Sequence, residues 1–255
     1  MIWPLLSFAL LSIHGVSTVL ALSVSVSTVA RSMMDVRDLT LDAKGHVVFV
    51  SVSYSSVYQL SENDTMLLLA GSGITEVQGA YVDGAGTVAR FFQPAGITSN
   101  IERNAARMSV TEVTSDSSTS VNLNNSYVST LAGNSNGPSH ANGVGTNASF
   151  VNPVGIVYHH SGVLYVADAS YVRKVVIANA TVTTVAMLYG DCQYLCVSNN
   201  GALLYVTMAS NITLINISSD TSEGVTTLAG TNIVGFGDGH AALFNFPCGG
   251  YIELR

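Results

Sequence analysis

Charge, and positive charge above all, is scarce in this 255-residue sequence. Only 10% of the residues are charged, and nine basic side chains stand against sixteen acidic ones, so the net charge is −7. Lys44 and Lys174 are the only lysines. Binding to nucleic acid or to an anionic membrane surface requires a basic face, which so few basic residues cannot form. We therefore exclude both as main partners.

Cysteine is also scarce. The three cysteines, Cys192, Cys196 and Cys248, include no Cys-x-x-Cys pair, which argues against a zinc knuckle and against a dense disulfide scaffold. The sequence lacks His-Glu-x-x-His, and spacing alone assembles no Ser-His-Asp or Cys-His arrangement. We expect no cofactor.

The first thirty residues carry no charged side chain. Residues 1–23 fit a signal peptide or a signal anchor, since an apolar run is followed by small residues for cleavage, although the basic n-region is absent. The other interpretation is that the alternating segment 16–29 is a strand of the fold. We expect a secreted or cell-surface protein, with membrane contact only through an uncleaved anchor.

Six Asn-x-Ser/Thr sequons agree with passage through a secretory pathway. A chain so rich in Ser and Thr would produce about four by chance, so each is a motif-grade candidate. The candidate glycosylation sites are Asn63, Asn124, Asn147, Asn179, Asn211 and Asn216.

Internal repetition is the strongest pattern. The loop "DGAGTVARFFQP" (83–94) recurs as "NGVGTNASFVNP" (142–153) and, shortened, as "DGHAALFNFP" (238–247). Each loop follows "LAG", and a strand, glycine turn and strand recur between them at 39–50, 155–166 and 195–206. Units of four short strands repeating every 40–60 residues are typical of β-propeller blades.

These residues resemble the NHL-repeat β-propeller family, in its long-loop version from secreted and surface proteins. The resemblance covers about residue 35 to the C-terminus, is best between Val128 and Val185, where "GVLYVADASYVRKV" (162–175) lies, and is poor at 99–125. The motif aspartate survives as Asp168, with Val52 and Met208 as its expected counterparts. The resemblance implies that rings commonly have six blades.

We therefore predict an all-β propeller over 36–255, with four-stranded antiparallel blades near 36–71, 94–133, 153–186 and 192–230. A partial blade follows at 247–255. Four blades and a fragment predict either an incomplete ring, which we favour, or a small ring closed by swapped strands.

The recurring loop is interpreted as scaffold. Its glycines permit a sharp turn, its Asp or Asn bonds to backbone amides, its Phe anchors between blades, and its Pro starts the inner strand. It lacks the helix and Lys of a P-loop and the carboxylates of a calcium loop. The predicted structural loop residues are Asp83, Gly84, Phe91, Pro94, Asn142, Gly143, Phe150, Pro153, Asp238, Gly239, Phe244 and Pro247.

Function is predicted only by class. The leading hypothesis is a non-catalytic interaction module for an unknown protein or glycan, and the alternative is a degenerate propeller hydrolase or lyase with a divalent metal in the central channel. Only Asp38 and Glu253 could face that channel as carboxylates. The adjacent His159 and His160 fall in a hairpin turn, and neighbouring side chains in a strand point opposite ways. We therefore name no catalytic or metal-binding residue.

The repeat register also suggests one disulfide. It aligns Cys192 with Pro153 and places Cys248 one residue further along the neighbouring inner strand. An oxidising compartment would join Cys192 to Cys248 if their Cα atoms approach within about 7 Å. The other interpretation is that all three cysteines are small core residues.

Overall fold

The computed structural model describes residues 35–61, 63, 65–74, 82–100, 107–112, 117–122, 126–134, 138–218, 224–231, 233–238, 242–245 and 247. Within them the regular structure is β, with two short 3-10 turns, η1 (Gly86–Val88) and η2 (Gly145–Asn147), and no α-helix. None of the described residues forms a helix long and apolar enough to cross a membrane. The segment 1–23 lies outside these ranges.

The strands form four antiparallel sheets, each of which we call a blade. Blade 1 contains β1 (Val36–Leu41), β2 (Val47–Ser51), β3 (Ser56–Leu60) and β4 (Met66–Gly71). Blade 2 contains β5 (Gly84–Ala85), β6 (Pro94–Asn100), β7 (Arg107–Glu112), β8 (Ser117–Asn122) and β9 (Tyr127–Gly133). Blade 3 contains β10 (Gly143–Val144), β11 (Pro153–His159), β12 (Val163–Asp168), β13 (Tyr171–Val176) and β14 (Thr181–Met187). Blade 4 contains β15 (Cys192–Val197), β16 (Leu203–Met208), β17 (Asn211–Asn216) and β18 (Val225–Gly230). The predicted all-β class with four-stranded antiparallel blades is confirmed.

The first main strand of each blade lies towards its neighbours. β6 packs against both β1 and β11, and β11 packs against β15. We call β1, β6, β11 and β15 the inner strands, and β4, β9, β14 and β18, at the opposite edge of each sheet, the outer strands.

Glycine ends three outer strands for a conformational reason. Gly71, Gly133 and Gly230, which close the "LAG" triplets, have φ of +106°, +105° and +91°. A Cβ at Gly71 would also lie 2.7 Å from the Cα of Ser56. Residues with a Cβ rarely adopt this backbone conformation. The glycine of the triplet therefore marks the point where the chain leaves the blade.

The apolar core lies between successive blades. Val48 and Val57 of blade 1 pack in one buried cluster with Ile97 and Val110 of blade 2. Two further clusters join blade 2 to blade 3 and blade 3 to blade 4. Alternating valine and leucine side chains on each strand supply these faces, because successive residues of a strand point to opposite sides of the sheet.

Candidate functional site

The recurring loop does more than cross between blades. Gly84–Ala85 pairs with Tyr127–Val128 of β9, and Gly143–Val144 pairs in the same way with Thr181–Val182 of β14. Each of these two loops therefore adds a fifth strand to the outer edge of the blade that it enters. The extra strand covers backbone groups that an outer edge would otherwise leave unpaired.

The loop phenylalanines lie fully buried where blades meet. Phe91 and Phe150 are both 0% exposed. Phe91 packs with Val48 and Val57 of blade 1 and with Ile97 of blade 2. Each ring therefore contacts the interface between one blade and the next.

A buried ion pair holds the loop of blade 3. The Asp168 and Arg173 side chains are both 0% exposed, with 3.1 Å between Asp168 Oδ2 and Arg173 Nη1. Arg173 also donates to the carbonyl oxygens of Ser149 and Ala141 at 3.0 Å and to Asn142 Oδ1 at 3.1 Å. Burial lowers the pKa of Arg173 below its ordinary value, and the Asp168 charge opposes that shift.

Asp168 is bonded on both carboxylate oxygens. Its Oδ1 accepts the backbone N–H groups of Val151 and Asn152 at 2.7 and 2.9 Å. His140 Nδ1 lies 3.0 Å from Oδ2, and the His140 ring packs on Tyr171 at 3.8 Å between centroids. The Asp and Arg of "YVADASYVRKV" thus hold the loop against its blade.

Of the two expected counterparts of Asp168, Met208 is confirmed and Val52 is not. Asp168 lies opposite Pro153, and the residues opposite the other inner-strand starts are Ser51, Glu112 and Met208. Val52 was therefore the wrong residue, because Ser51 follows the turn glycine Gly45 by the same six positions that separate Asp168 from Gly162.

Glu112 is the residue that sequence reasoning missed. It is 0% exposed, and its Oε2 accepts the backbone N–H of Phe92 at 2.9 Å, as Asp168 does from Val151. Glu112 was hidden because blade 2 has lost the turn glycine and the sequence around it no longer matches the repeat. An acidic residue at the end of a second strand was the only available signal.

The Asp or Asn that opens each loop bonds to the outer strand. Asp83 Oδ2 accepts the Thr130 N–H at 3.1 Å. Asn142 Oδ1 accepts from Thr184 Oγ1 at 3.3 Å, and Thr184 occupies in β14 the position of Thr130 in β9.

The third loop is different. Asp238 is exposed, Phe244 and Pro247 are only half-buried, and Gly239 lies outside the described residues. Phe244 pairs by an isolated bridge with Val234 and lies beside Gly230.

Each inner strand is irregular near its start. The register shifts before Asp38 in β1, before Ile97 in β6, before Ile156 in β11 and before Tyr194 in β15. A β-bulge at the same place in every blade re-aims the side chain that it carries.

Glycine occupies the bulge where inner strands touch. A Cβ at Gly96 would lie 2.3 Å from the Val154 carbonyl oxygen, and one at Gly155 would lie 2.4 Å from that of Gln193. In blades 1 and 4 the third position of the inner strand is instead Asp38 and Tyr194. Asp38 and Tyr194 therefore place polar side chains at the position that glycine occupies in blades 2 and 3.

Asp38 is tied to the backbone of two blades. Its Oδ1 accepts the Leu39 N–H at 2.8 Å, and its Oδ2 accepts the Ile97 N–H of blade 2 at 2.9 Å. Burial raises its pKa from 3.8 to about 6, against the lowering effect of these hydrogen bonds. Tyr194 reaches from blade 4 to blade 1, where its hydroxyl donates to the Arg37 carbonyl oxygen at 3.3 Å. Glu253, the other expected channel carboxylate, lies outside the described residues.

The histidine pair does not behave as expected. The rings of His159 and His160 stack at 4.2 Å between centroids and 30° between planes, so the two side chains do not point opposite ways. β11 ends at His159, and strand alternation ends with it. His159 Nδ1 accepts the Ser161 N–H at 3.2 Å, so its Nε2 carries the hydrogen towards the Gly201 carbonyl oxygen at 3.1 Å.

A polar cluster that contains one histidine lies at the first turn of blade 1. Asp42 Oδ2 is 2.9 Å from His46 Nδ1 and accepts from Gln59 Nε2 at 2.8 Å. Burial alone would raise the pKa of Asp42, but hydrogen bonds from His46 and from the Lys44 backbone hold it below its usual value. Across the residues that the structure describes, no three His, Cys, Asp or Glu side chains gather as metal ligands.

Residues 133–137 spell Gly-x-Ser-x-Gly, a pattern that also forms the nucleophile elbow of some hydrolases. That elbow needs a strand, a sharp turn and a helix. Here Gly133 ends β9, and the described residues 138–142 lead into β10 without helical structure. The described residues that flank the pattern therefore include no helix.

Cys192 occupies the inner-strand position expected from the repeat. It begins β15 as Pro153 begins β11 and is 0% exposed. Burial and the nearby Asp191 and Asp168 carboxylates raise its pKa to about 12. Cys248 lies outside the described residues, so the disulfide stays a prediction.

Large apolar side chains are exposed where the chain leaves an outer strand. Tyr189 is 99% exposed after β14, and Phe236 is 85% exposed after β18. Ile74, after β4, is 59% exposed. Three connections of the same kind therefore present an uncovered apolar group.

Comparison with known proteins bears on the fold. A chain in the crystal structure of a nidogen/laminin complex matches with a TM-score of 0.57 and 15% identity, over 76% of this chain and 65% of that one. Kuenenia stuttgartiensis hydrazine synthase matches with a TM-score of 0.54 and 14% identity, over 81% of this chain and 53% of that one. Catalytically inactive H270A virginiamycin B lyase from Staphylococcus aureus, in a structure with quinupristin, matches with a TM-score of 0.53 and 11% identity, over 79% of this chain and 57% of that one.

This is a β-propeller fold. At these identities the likeness extends to the fold alone, and the chain spans about two thirds or less of the length of each of these proteins. No family model matches the sequence, and no curated protein matches it.

Proposed function

We propose that this chain is an exported, NHL-like β-propeller that serves as a non-catalytic interaction module at the cell surface or in secreted form. Its partner is a protein or a glycan. The observation that carries the proposal is the exposure of Tyr189 and Phe236 in connections between or after blades. Aromatic side chains are enriched in the cores of interfaces, where covering them releases water from a large apolar area.

The use of the buried charges supports the same function. Asp168 and Arg173 neutralise each other inside the fold, and Glu112 holds the loop of blade 2. Both oxygens of Asp38 accept backbone N–H groups. These groups therefore stabilise blades, while the connections supply exposed apolar side chains. Binding residues often lie on loops that a rigid scaffold positions.

The structural neighbours include both classes of function. One belongs to a nidogen/laminin complex, and another is a lyase bound to quinupristin. A fold by itself does not determine function, so the decision rests on the surface and on experiment.

A pull-down from extracellular material of the source organism tests the proposal. We expect the full chain to capture a partner, and the double variant Tyr189→Ser, Phe236→Ser to bind it at least about tenfold more weakly, as loss of an interface anchor would. Val88→Ser is the control, because Val88 is 64% exposed but lies in η1, in the connection between blades 1 and 2 rather than in those that carry Tyr189 and Phe236. Equal binding by the double variant would contradict the assigned surface.

A parallel screen addresses the catalytic alternative. Esterase and lyase activity that depends on an added divalent metal, and that disappears in Asp38→Asn, would replace the interaction module by an enzyme. Retention of binding without such activity would support the module.

A further inference from the structure

The structure groups the sequons in a way that the sequence does not show. Asn63 lies between β3 and β4, Asn179 lies between β13 and β14, and Asn216 ends β17 before β18. All three occupy the hairpin that joins the third and fourth main strands of a blade. Asn124, outside the described residues, stands in the chain between β8 and β9, which is the corresponding connection of blade 2.

This hairpin is an outer corner of the blade. The sheet order places the inner strand at one edge and the third and fourth strands at the other. In an antiparallel sheet the hairpin between strands three and four lies diagonally opposite the start of strand one. Asn63, Asn179 and Asn216 are all exposed there.

The hairpin turns at Asn179 and Asn216 use the carbonyl oxygen of the asparagine side chain as a hydrogen-bond acceptor. Asn179 Oδ1 accepts the Thr181 N–H at 3.1 Å, and Asn216 Oδ1 accepts the Ser218 N–H at 3.0 Å. These bonds occupy the carbonyl oxygen. An N-linked sugar is attached through Nδ2, so the same turn conformation accommodates the modification.

A fifth sequon lies beside the same corner. Asn147 is exposed in η2, and the N–H of the neighbouring Gly145 donates to the Ala180 carbonyl oxygen at 2.9 Å. Ala180 is the central residue of the Asn179 sequon. The interblade loop thus brings Asn147 to the hairpin that carries Asn179.

Asn211 is the exception. It begins β17, at the other end of the strand from Asn216, and is only 6% exposed. Its backbone pairs with Gly230, and its Oδ1 accepts the Thr213 hydroxyl at 3.1 Å, within a contact that also includes Met208. A glycan on this amide would require the end of blade 4 to open.

We propose that N-linked glycans occupy the outer corners of the blades, at Asn63, Asn147, Asn179 and Asn216, and exclude Asn211. This inference rests on the export included in the proposed function. Glycans placed so would shield the outer edge and leave the inner-strand starts, diagonally across each sheet, accessible to a partner.

Sequon variants separate glycosylation from turn chemistry. Thr181→Ala destroys the Asn179 sequon, whereas Thr181→Ser preserves it, and both keep the backbone N–H that Asn179 accepts. We expect one glycan fewer in the alanine variant and an unchanged number in the serine variant. Asn211→Gln is the second control and should leave the glycan number unchanged.

The experiment uses the full chain made in a eukaryotic secretory host, once with its own N-terminus and once behind a heterologous signal sequence. Site occupancy is measured by glycopeptide mass spectrometry on the folded fraction from size-exclusion chromatography. We expect glycans at the corner sites and none at Asn211. Occupied Asn211, or bare Asn63, Asn179 and Asn216 in the exported protein, would overturn the inference.

The two signal sequences keep the proposals distinguishable. Export and corner glycans only with the heterologous signal would contradict native export while supporting the glycan pattern. Export with the native N-terminus but without corner glycans would support native export and contradict the glycan pattern.

Discussion

Replacing Asp168 by alanine should destabilise the blade 3 loop more than any surface change. The variant leaves the Arg173 guanidinium, which is 0% exposed, without its counter-charge. It also removes the acceptor for the N–H groups of Val151 and Asn152. Breaking one side of a buried ion pair typically costs about 3–5 kcal/mol.

A loss of that size is large against the total. Domains are stable by about 5–15 kcal/mol, and about 1 kcal/mol changes the melting temperature of a domain of this size class by about 2–4 °C. We expect Asp168→Ala to melt about 6–20 °C lower than the parent chain. The same reasoning applies to Arg173→Met, which leaves the Asp168 carboxylate buried without the guanidinium.

A double-mutant cycle measured by urea unfolding tests the argument. Because the cost of each single variant comes from the charge left behind, the double variant Asp168→Ala, Arg173→Met should lose much less than the sum of the two. Asp191→Ala is the control, since Asp191 is exposed and its loss should change stability by no more than about 0.5 kcal/mol. Additive losses, or a loss below about 1 kcal/mol for Asp168→Ala, would refute the assigned role.

Four further changes test other parts of the fold. Phe150→Ala, which empties a fully buried site between blades, should cost about 3–5 kcal/mol of unfolding free energy, and an unchanged melting temperature would count against that packing. Gly155→Ala drives a Cβ to 2.4 Å from the Gln193 carbonyl oxygen and should lower the melting temperature clearly, whereas Gly237→Ala, with its nearest atom at 3.6 Å, should be almost neutral. The pKa of Asp38 is raised to about 6, so the stability that its protonated form contributes is present below about pH 4 and is lost as the pH rises through 6. Asp38→Asn should therefore remove this decline from curves of unfolding free energy measured between pH 4 and 7. Asp42, whose pKa is lowered, contributes stability that is lost as the pH falls below about 4, so Asp42→Asn should flatten only the acid side, and identical profiles for the two variants would contradict both assignments.

Much of the architecture could be predicted because its signals are local. The hairpin turns at Gly45, Gly162 and Gly201 have φ of +85°, +80° and +70°, which is the conformation that glycine favours in tight turns. A residue type with such a specific backbone requirement leaves a mark that recurs in blades 1, 3 and 4. The repeated loop and the class of the fold follow from these marks.

The contacts of the candidate sites were harder to predict from the sequence than the architecture. Glu112 escaped notice because its partner is the backbone of Phe92, which any residue could supply. The stack of His159 on His160 depends on where β11 ends, and a pattern of alternating side chains does not mark that point. Asp38 meets Ile97 at a distance of 59 residues in the chain.

The sequence by itself determined the repeating unit, its four strands and its turns, because each depends on interactions among residues a few positions apart. Only the tertiary structure decided which groups meet across blades and which asparagines are exposed at a common corner. Register shifts at the inner-strand bulges change which residues lie opposite one another, and sheet order brings Asn147 beside Asn179. Burial of Asn211 likewise comes from the packing of a whole blade end, which no three-residue motif contains.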